Sequence, residues 1–163
     1  MDVEVSIVIS NNPEAFVIER ADNFEIPAVV ITKSDLYETD KTLEQLKKLN
    51  INLIVLAGFL WLIPVKILEA FPNQVINIHP ALLPKYGGKG MYGMKVHKAV
   101  HQNRDEESGI TIHYVNENYD EGKMIYQTKC KIELTDTPET ISYKVRNLEH
   151  YHYPKIIEKI MIG

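Results

Sequence analysis

The chain has 163 residues, 45% of them hydrophobic, and a net charge of -4. This length and composition predict one domain with one substantial core over residues 1–163. The acidic balance, without a dense run of Lys or Arg, argues against nucleic-acid binding. The longest apolar stretch, Leu53 to Val65, is shorter than the roughly 20 residues that span a bilayer. With a single cysteine, Cys130, the chain forms no internal disulfide, and we expect a cytoplasmic protein without a membrane segment.

The first half of the chain alternates predicted strands and helices. Apolar residues at every second position from Val3 to Ile9 predict a strand, and Asn12 with Pro13 predicts the start of a helix that ends near Arg20. The following predicted elements are a strand at 27–32, a helix carrying Leu43, Leu46 and Leu49, a strand at 51–57, a helix at 64–71 and a strand at 75–78. Because residues 51–57 are almost continuously apolar, we expect that strand to be central in a parallel sheet.

In the second half of the chain, the alternation of strands and helices gives way to a strand pair and a last helix. Residues 94–102 predict a helix, and residues 110–115 and 124–132 alternate as two strands, which favours an antiparallel pair. Thr137 before Pro138 predicts the start of a last helix, with a break or kink at Pro154. The pattern predicts an α/β fold, an open and mostly parallel Rossmann-like sheet with helices on both faces and an antiparallel strand pair toward the C-terminus.

The strongest chemical motif is the run NIHPALLP at residues 77–84. Alternation along the strand places Asn77 and His79 on one face, where an amide and an imidazole can aim at the same reacting atom. Such a pair suits acyl transfer, because donors preset around a carbonyl oxygen stabilise the negative charge that builds there under attack. A buried structural histidine is the alternative interpretation of His79.

Asp120 is the candidate partner of His79, because a nearby carboxylate favours a charged imidazole. It lies in the polar stretch NENYDEG at residues 116–122, between the two late strands. The alternative is that Asp120 only shapes the turn. Spacing alone favours the second interpretation, in which Asp120 only shapes the turn.

Four segments together carry a resemblance to a known family. They are LAGF at 56–59, NIHPALLPKY at 77–86, YDEG at 119–122 and LEH at 148–150, in this order and at this spacing. With them, the chain resembles the phosphoribosylglycinamide formyltransferase family over essentially its whole length. The resemblance implies transfer of the formyl group of 10-formyltetrahydrofolate to the amine of glycinamide ribonucleotide in purine synthesis. It implies small-molecule substrates, no metal, and a monomer or homodimer.

The same resemblance implies three groups of site residues. Asn77 and His79 would stabilise the oxyanion, while Asp120 would hold His79 charged and assist proton transfer. The folate would meet Leu60, Trp61, Leu62, Ile63, Asn77, Asn116, Glu117, Asn118, Tyr119 and Asp120, and the nucleotide would meet Arg146, Asn147, Leu148 and Glu149. The family commonly carries Arg where Trp61 stands, so this pocket edge differs. An ordinary solvated helix residue is the alternative for Glu149.

Two further patterns are misleading. Residues 88–93 spell G-x-G-x-x-G, but they follow a loop instead of a strand, so we interpret them as a mobile flap beside the site and not as a dinucleotide fingerprint. His97 and His101 share a helix face without an acidic residue to complete a metal site, which favours exposed histidines.

The chain also departs from the family pattern. The resemblance implies a preceding strand and a glycine-containing phosphate-binding loop before Met1. If the 163 residues are the whole polypeptide, we expect weak nucleotide binding, poor activity and marginal stability. A wrongly chosen start codon, a truncation and a natural remnant are the three explanations, of which the first is favoured because Asn77, His79, Asp120 and Glu149 are all present. Two alternatives to the transferase stay open, namely a 10-formyltetrahydrofolate hydrolase and a catalytically impaired folate-binding remnant.

Overall fold

A computed structural model describes residues 3–163 of the chain. Its residues form two compact units, of which the first ends at Asn52 and the second covers Leu53–Gly163. Met1 and Asp2 lie outside the described residues. The expectation of a single domain over residues 1–163 stays a prediction.

The first unit has a two-stranded parallel sheet. Strand β1 (Val8–Ser10) and strand β2 (Ala28–Val30) flank helix α1 (Phe16–Asn23), and a π-helical turn (Ser34–Glu38) precedes helix α2 (Lys41–Lys48). Strand β1 covers only Val8–Ser10, whereas the alternating apolar residues predicted a strand from Val3 to Ile9. Helix α1 also starts later than predicted, because the Asn12 side chain accepts a hydrogen bond from the Glu14 N–H in a turn and Ala15 occupies the N-cap position.

The second unit holds a four-stranded sheet in the order β3-β4-β5-β6. Strands β3 (Ile54–Leu56) and β4 (Val75–His79) are parallel, while β5 (Glu107–Tyr114) and β6 (Met124–Lys131) are added antiparallel. Helix α3 (Val65–Ala70) connects β3 to β4, and helix α4 (Met94–Gln102) precedes β5. The prediction of a central strand at 51–57 was wrong, because β3 pairs only with β4 among the described residues and Val55 is 39% exposed.

The last helix, α5 (Pro138–Ile162), packs on the core of the second unit. Thr137 accepts a hydrogen bond from the Thr140 N–H and caps the helix start, as its sequence predicted. The helix continues through Pro154, so of the break or kink expected there, the break does not occur. Apolar residues on both sides of the proline keep the helix against the sheet: Ile141, Val145, Tyr153, Ile156, Ile157 and Ile160.

The core of the second unit lies beneath β4 and β5. Ile76, Ile110 and Ile112 have no exposed surface, so three adjacent isoleucines fix the register that places polar side chains on the opposite face. The α/β class with an antiparallel strand pair toward the C-terminus is confirmed. Within residues 3–163, no helix combines the length and apolar character needed to cross a bilayer.

Candidate active site

The carboxyl end of β4 brings the two candidate donors together. Asn77 and His79 lie two residues apart on this strand. His79 is buried, with 4% of its surface exposed. Across the sheet, Asn77 pairs with His113 of β5, and the Asn77 Nδ2 atom lies 3.3 Å from His113 Nε2. An amide and two imidazoles therefore share one face at the end of β4.

Asp120 reaches this face from the loop between β5 and β6. Its Oδ1 atom lies 3.4 Å from His79 Nδ1 and 3.6 Å from His113 Nε2. Its other oxygen, Oδ2, accepts a hydrogen bond of 2.9 Å from the Gly88 N–H. The backbone of Asp120 is left-handed, with φ at +59°, a conformation that Asp tolerates better than most residues. The structure thus joins the three predicted catalytic residues.

The hydrogen bonds define the tautomers of both histidines. A carbonyl oxygen only accepts, so His79 Nε2 donates to the Tyr86 carbonyl at 2.7 Å and His113 Nδ1 donates to its neighbour's carbonyl, that of Tyr114, at 2.8 Å. In a neutral His79, the lone pair of Nδ1 then faces Asp120. In a neutral His113, Nε2 accepts from Asn77. One hydrogen of the Asn77 amide remains for a substrate oxygen.

Burial opposes the expected charging of His79. Burial lowers the pKa of the His79 imidazole below its ordinary value of 6.5, and this outweighs the Asp120 carboxylate and the Tyr86 hydrogen bond, which both raise it. For Asp120, burial favours a higher pKa, but His113, the Gly88 N–H and His79 together bring the pKa below its ordinary value. In the free protein, burial therefore opposes the positive charge on His79 that the Asp120 carboxylate favours.

Sequence reasoning missed His113 and the residues that hold the turn after β4. Thr111, opposite His79 in the register, donates to the Ala81 carbonyl at 2.7 Å and accepts from the Leu83 N–H at 3.0 Å. A signal was present, because alternation in β5 places Thr111 and His113 on the face opposite Ile110 and Ile112. A polar face on a buried strand is a recognisable sign of a site.

The two predicted folate segments meet each other. The Tyr119 hydroxyl donates to the Leu60 carbonyl at 3.3 Å. Leu60 is exposed while Ile63 is buried, and the Asn118 N–H closes a turn on the Asn116 side chain at 3.1 Å. The structure thus brings the loop 116–120 beside the segment 60–63, and Asp120 belongs both to that loop and to the three predicted catalytic residues.

The predicted nucleotide residues lie on α5. Half-burial raises the pKa of Glu149, against the opposing charges of His150 and Arg146. One turn later the Tyr153 hydroxyl donates to the Leu56 carbonyl at 2.9 Å, so this part of α5 lies beside the end of β3. No hydrogen bond or ion pair of the described residues joins Arg146, Asn147, Leu148 or Glu149 to Asn77, His79 or Asp120.

The histidines of α4 differ from expectation. His101 is exposed, but His97 is 4% exposed, and its Nδ1 atom has no hydrogen-bond partner in the described part of the chain. Helix α4 packs against α5, which brings His97 near Arg146 and removes it from water. Residues 3–163 contain no cluster of three or more His, Cys, Asp or Glu side chains arranged to hold a metal.

Comparison with known proteins identifies the family of this chain. The family model described as formyl transferase matches residues 1–157. Phosphoribosylglycinamide formyltransferase of Bacillus subtilis (strain 168) is 36% identical and aligns over 98% of this chain and 82% of its own length. The chloroplastic enzyme of that name from Arabidopsis thaliana is 40% identical over 96% of this chain, which spans 56% of the plant protein.

Solved structures give the same result. Phosphoribosylglycinamide formyltransferase from Bacillus halodurans superposes with a TM-score of 0.86 at 33% identity, covering 98% of this chain and 82% of that one. The counterpart from Brucella melitensis also has a TM-score of 0.86, at 29% identity and over 98% of this chain and 82% of its own. This chain therefore spans most of its bacterial relatives and about half of the plant relatives. On both sequence and structure, the chain belongs to the formyl transferase family.

Proposed function

We propose that this protein transfers the formyl group of 10-formyltetrahydrofolate to the amine of glycinamide ribonucleotide. The observation that carries the proposal is the cluster of Asn77, His79 and Asp120 at the end of β4. The names of the relatives support the same reaction, because each is called a phosphoribosylglycinamide formyltransferase.

In the proposed reaction, the substrate amine attacks the formyl carbon and a tetrahedral oxyanion forms. The free Asn77 N–H donates to that oxygen, and the Nε2–H of His79 turns to it from the Tyr86 carbonyl. The negative charge of the oxyanion, together with Asp120, favours a proton on Nδ1, so His79 becomes charged when the charge is needed. The proton lost by the attacking amine is the one that Nδ1 of His79 takes up, with Asp120 assisting. When the carbon–nitrogen bond to the folate breaks, this proton passes to the folate nitrogen, the oxyanion collapses to the carbonyl of the new formamide, and His79 is neutral again.

The binding assignments are part of the same proposal. The folate would lie between the segments 60–63 and 116–120, which the Tyr119–Leu60 hydrogen bond keeps adjacent. The ribose hydroxyls of the nucleotide would bind Glu149, whose carboxylate is partly withdrawn from water. Arg146, Asn147 and Leu148 would complete the nucleotide site. We also propose a cytoplasmic location and a monomer or homodimer.

A coupled assay tests the reaction. The purified protein should form tetrahydrofolate and formylglycinamide ribonucleotide in equal amounts. His79→Asn should lower kcat by roughly 10²- to 10³-fold, and Asn77→Ala by a similar factor, because each removes one oxyanion donor. Tyr143→Phe, on an exposed part of α5 outside the assigned residues, is the control and should keep the rate of the unchanged protein.

Two results would contradict the proposal. Formate release without glycinamide ribonucleotide would indicate a hydrolase at the same site. A protein that binds a folate analogue, does not bind glycinamide ribonucleotide and shows no turnover would be the folate-binding remnant. No observation of the structure favours either alternative over the transferase.

A further inference from the structure

A turn between β4 and α4, residues 82–88, contacts both members of the His79–Asp120 pair through backbone atoms. The Tyr86 carbonyl accepts from His79 Nε2 at 2.7 Å. Two residues later, the Gly88 N–H donates to Asp120 Oδ2 at 2.9 Å. The position of this turn therefore determines the orientation of both the imidazole and the carboxylate.

The side chains of the turn are anchored outside the site. The Tyr86 hydroxyl donates to Asp105 Oδ2 at 2.7 Å and accepts from Asn103 Nδ2 at 2.7 Å. Lys85 Nζ lies 2.7 Å from each oxygen of the same carboxylate. The Asp105 N–H bonds to the Val100 carbonyl at 3.2 Å. Asp105, with 15% of its side chain exposed, thus connects the turn to the end of α4.

This anchor acts on a strained residue. Tyr86 has φ at +57°, and a bulky residue keeps a left-handed backbone only where its surroundings hold it there. Relaxation of Tyr86 toward an ordinary conformation rotates its carbonyl, which removes the acceptor from His79. The side-chain contacts of Tyr86 oppose that rotation.

We propose that Asp105 is a positioning residue, which holds Tyr86 so that its carbonyl keeps His79 in the Nε2–H tautomer and in one orientation. This tautomer matters because Nε2–H is the donor that the formyl oxygen would meet, while Nδ1 is left to take up a proton beside Asp120. The catalytic consequence rests on the proposed function. The effect on the tautomer exists in the free protein and needs no substrate.

Nitrogen-15 NMR of the histidine rings measures the tautomer directly. In the unchanged protein, the His79 signals, assigned with His79→Asn, should show hydrogen on Nε2 alone. In Asp105→Ala, the shifts of both ring nitrogens should move toward the average of the two tautomers. Asp105→Asn keeps an acceptor for the Tyr86 hydroxyl and should restore most of the unchanged spectrum. Glu107→Ala, which removes only the surface partner of Lys129, is the matched control.

Kinetics supply the second measurement. Asp105→Ala should lower kcat by at least roughly ten-fold and change KM by less than about two-fold, because misplacing a reacting group by an ångström is costly while binding surfaces stay intact. Tyr86→Phe removes only the hydroxyl contacts and should shift the His79 signals in the same direction. This variant tests the inference even if Asp105→Ala does not fold.

Each outcome decides the inference. Unchanged His79 shifts in a folded Asp105→Ala or Tyr86→Phe protein would overturn it, whatever the activity. Mixed tautomers with a lowered kcat support it, and mixed tautomers with an unchanged kcat would overturn the positioning role in transfer. If even the unchanged protein shows no transfer, the proposed function fails, and the NMR result still decides whether Asp105 controls His79.

Discussion

His79 lies between opposing influences on its charge. Burial disfavours the imidazolium, while Asp120 and the Tyr86 carbonyl favour it. His113, which also lies beside Asp120, lowers the pKa of His79 as well. In the proposed reaction, this balance suits a histidine that takes up a proton only when an oxyanion forms beside it.

A pH titration of the free protein tests this balance. The NMR midpoint of His79 should lie below 6.5, its ordinary pKa. Asp120→Asn should lower the midpoint further, because it removes the negative charge that raises the pKa of His79. Glu121→Gln, an exposed neighbour, should leave the midpoint in place. A rise in Asp120→Asn would show that the carboxylate does not act on this histidine.

Part of the site could be predicted residue by residue. Asn77 and His79 followed from the period of a strand, because residues two apart share a face. His113 did not follow, because its place opposite Asn77 depends on the register between β4 and β5. The tautomers also stayed hidden, since they depend on carbonyls of Tyr86 and Tyr114 that no side-chain pattern reveals.

At the scale of elements, the loop between β5 and β6 carries Asp120 and is constrained by a glycine. A Cβ atom on Gly122 would collide with the Tyr114 carbonyl and lie 3.5 Å from His113 Nδ1. The end of β5 and the start of β6 are therefore closer here than any other residue type permits. This close approach keeps Asp120 within reach of both imidazoles.

Gly122→Ala should separate the two strand ends. We expect a loss of roughly 1–3 kcal/mol in the free energy of unfolding, typical of overpacking, and a fall in kcat because Asp120 moves away from His79. Urea denaturation and steady-state kinetics measure the two effects. Glu121→Ala, the exposed adjacent residue, is the control for stability. An unchanged urea midpoint in Gly122→Ala would show that the loop accommodates the extra methyl group without loss of stability.

Element boundaries were predicted unevenly. Strand β4 and helix α4 were predicted well, because strong apolar patterns with clear limits specify them. The prediction of a central strand at 51–57 was wrong, because a continuous apolar run predicts burial on both faces but does not identify the neighbouring strands. At Pro154 the helix does not break, because tertiary packing of the residues around the proline compensates for the lost hydrogen bond.

At the scale of the whole molecule, the second unit contains every residue of the proposed site and one continuous core. The core includes the face of α5 that meets β5, and α4 packs against α5 in turn. His97 lies in this helix contact, buried and close to Arg146, and both influences lower its pKa, burial more than the arginine. The stability of the unit should therefore respond to acid.

The direction follows from proton binding. The unfolded chain protonates His97 near 6.5, whereas the folded chain does so at lower pH, so the unfolded state binds more protons in that window and stability falls as the pH drops through it. His97→Leu should reduce this fall in Tm between pH 8 and pH 5. His101→Leu, an exposed histidine on the same helix, should keep it. Equal slopes in all three proteins would contradict the role of His97.

The fold class could be predicted from the order of elements, because alternating strand and helix patterns followed by a strand pair leave few arrangements. The division into two sheets could not be predicted. It depends on which strands find hydrogen-bonding neighbours, and short strands of three residues such as β1 and β2 carry little information about their partners.

The turn at residues 82–88 has a consequence for how such proteins diverge. It touches the reactive pair only through a carbonyl and an amide, which every amino acid other than proline supplies. These two contacts constrain side-chain identity in the turn only where a side chain holds the backbone path, as the Tyr86 hydroxyl does through Asp105. Replacing the Gly88 amide by an ester through protein semisynthesis would delete one donor and no side chain.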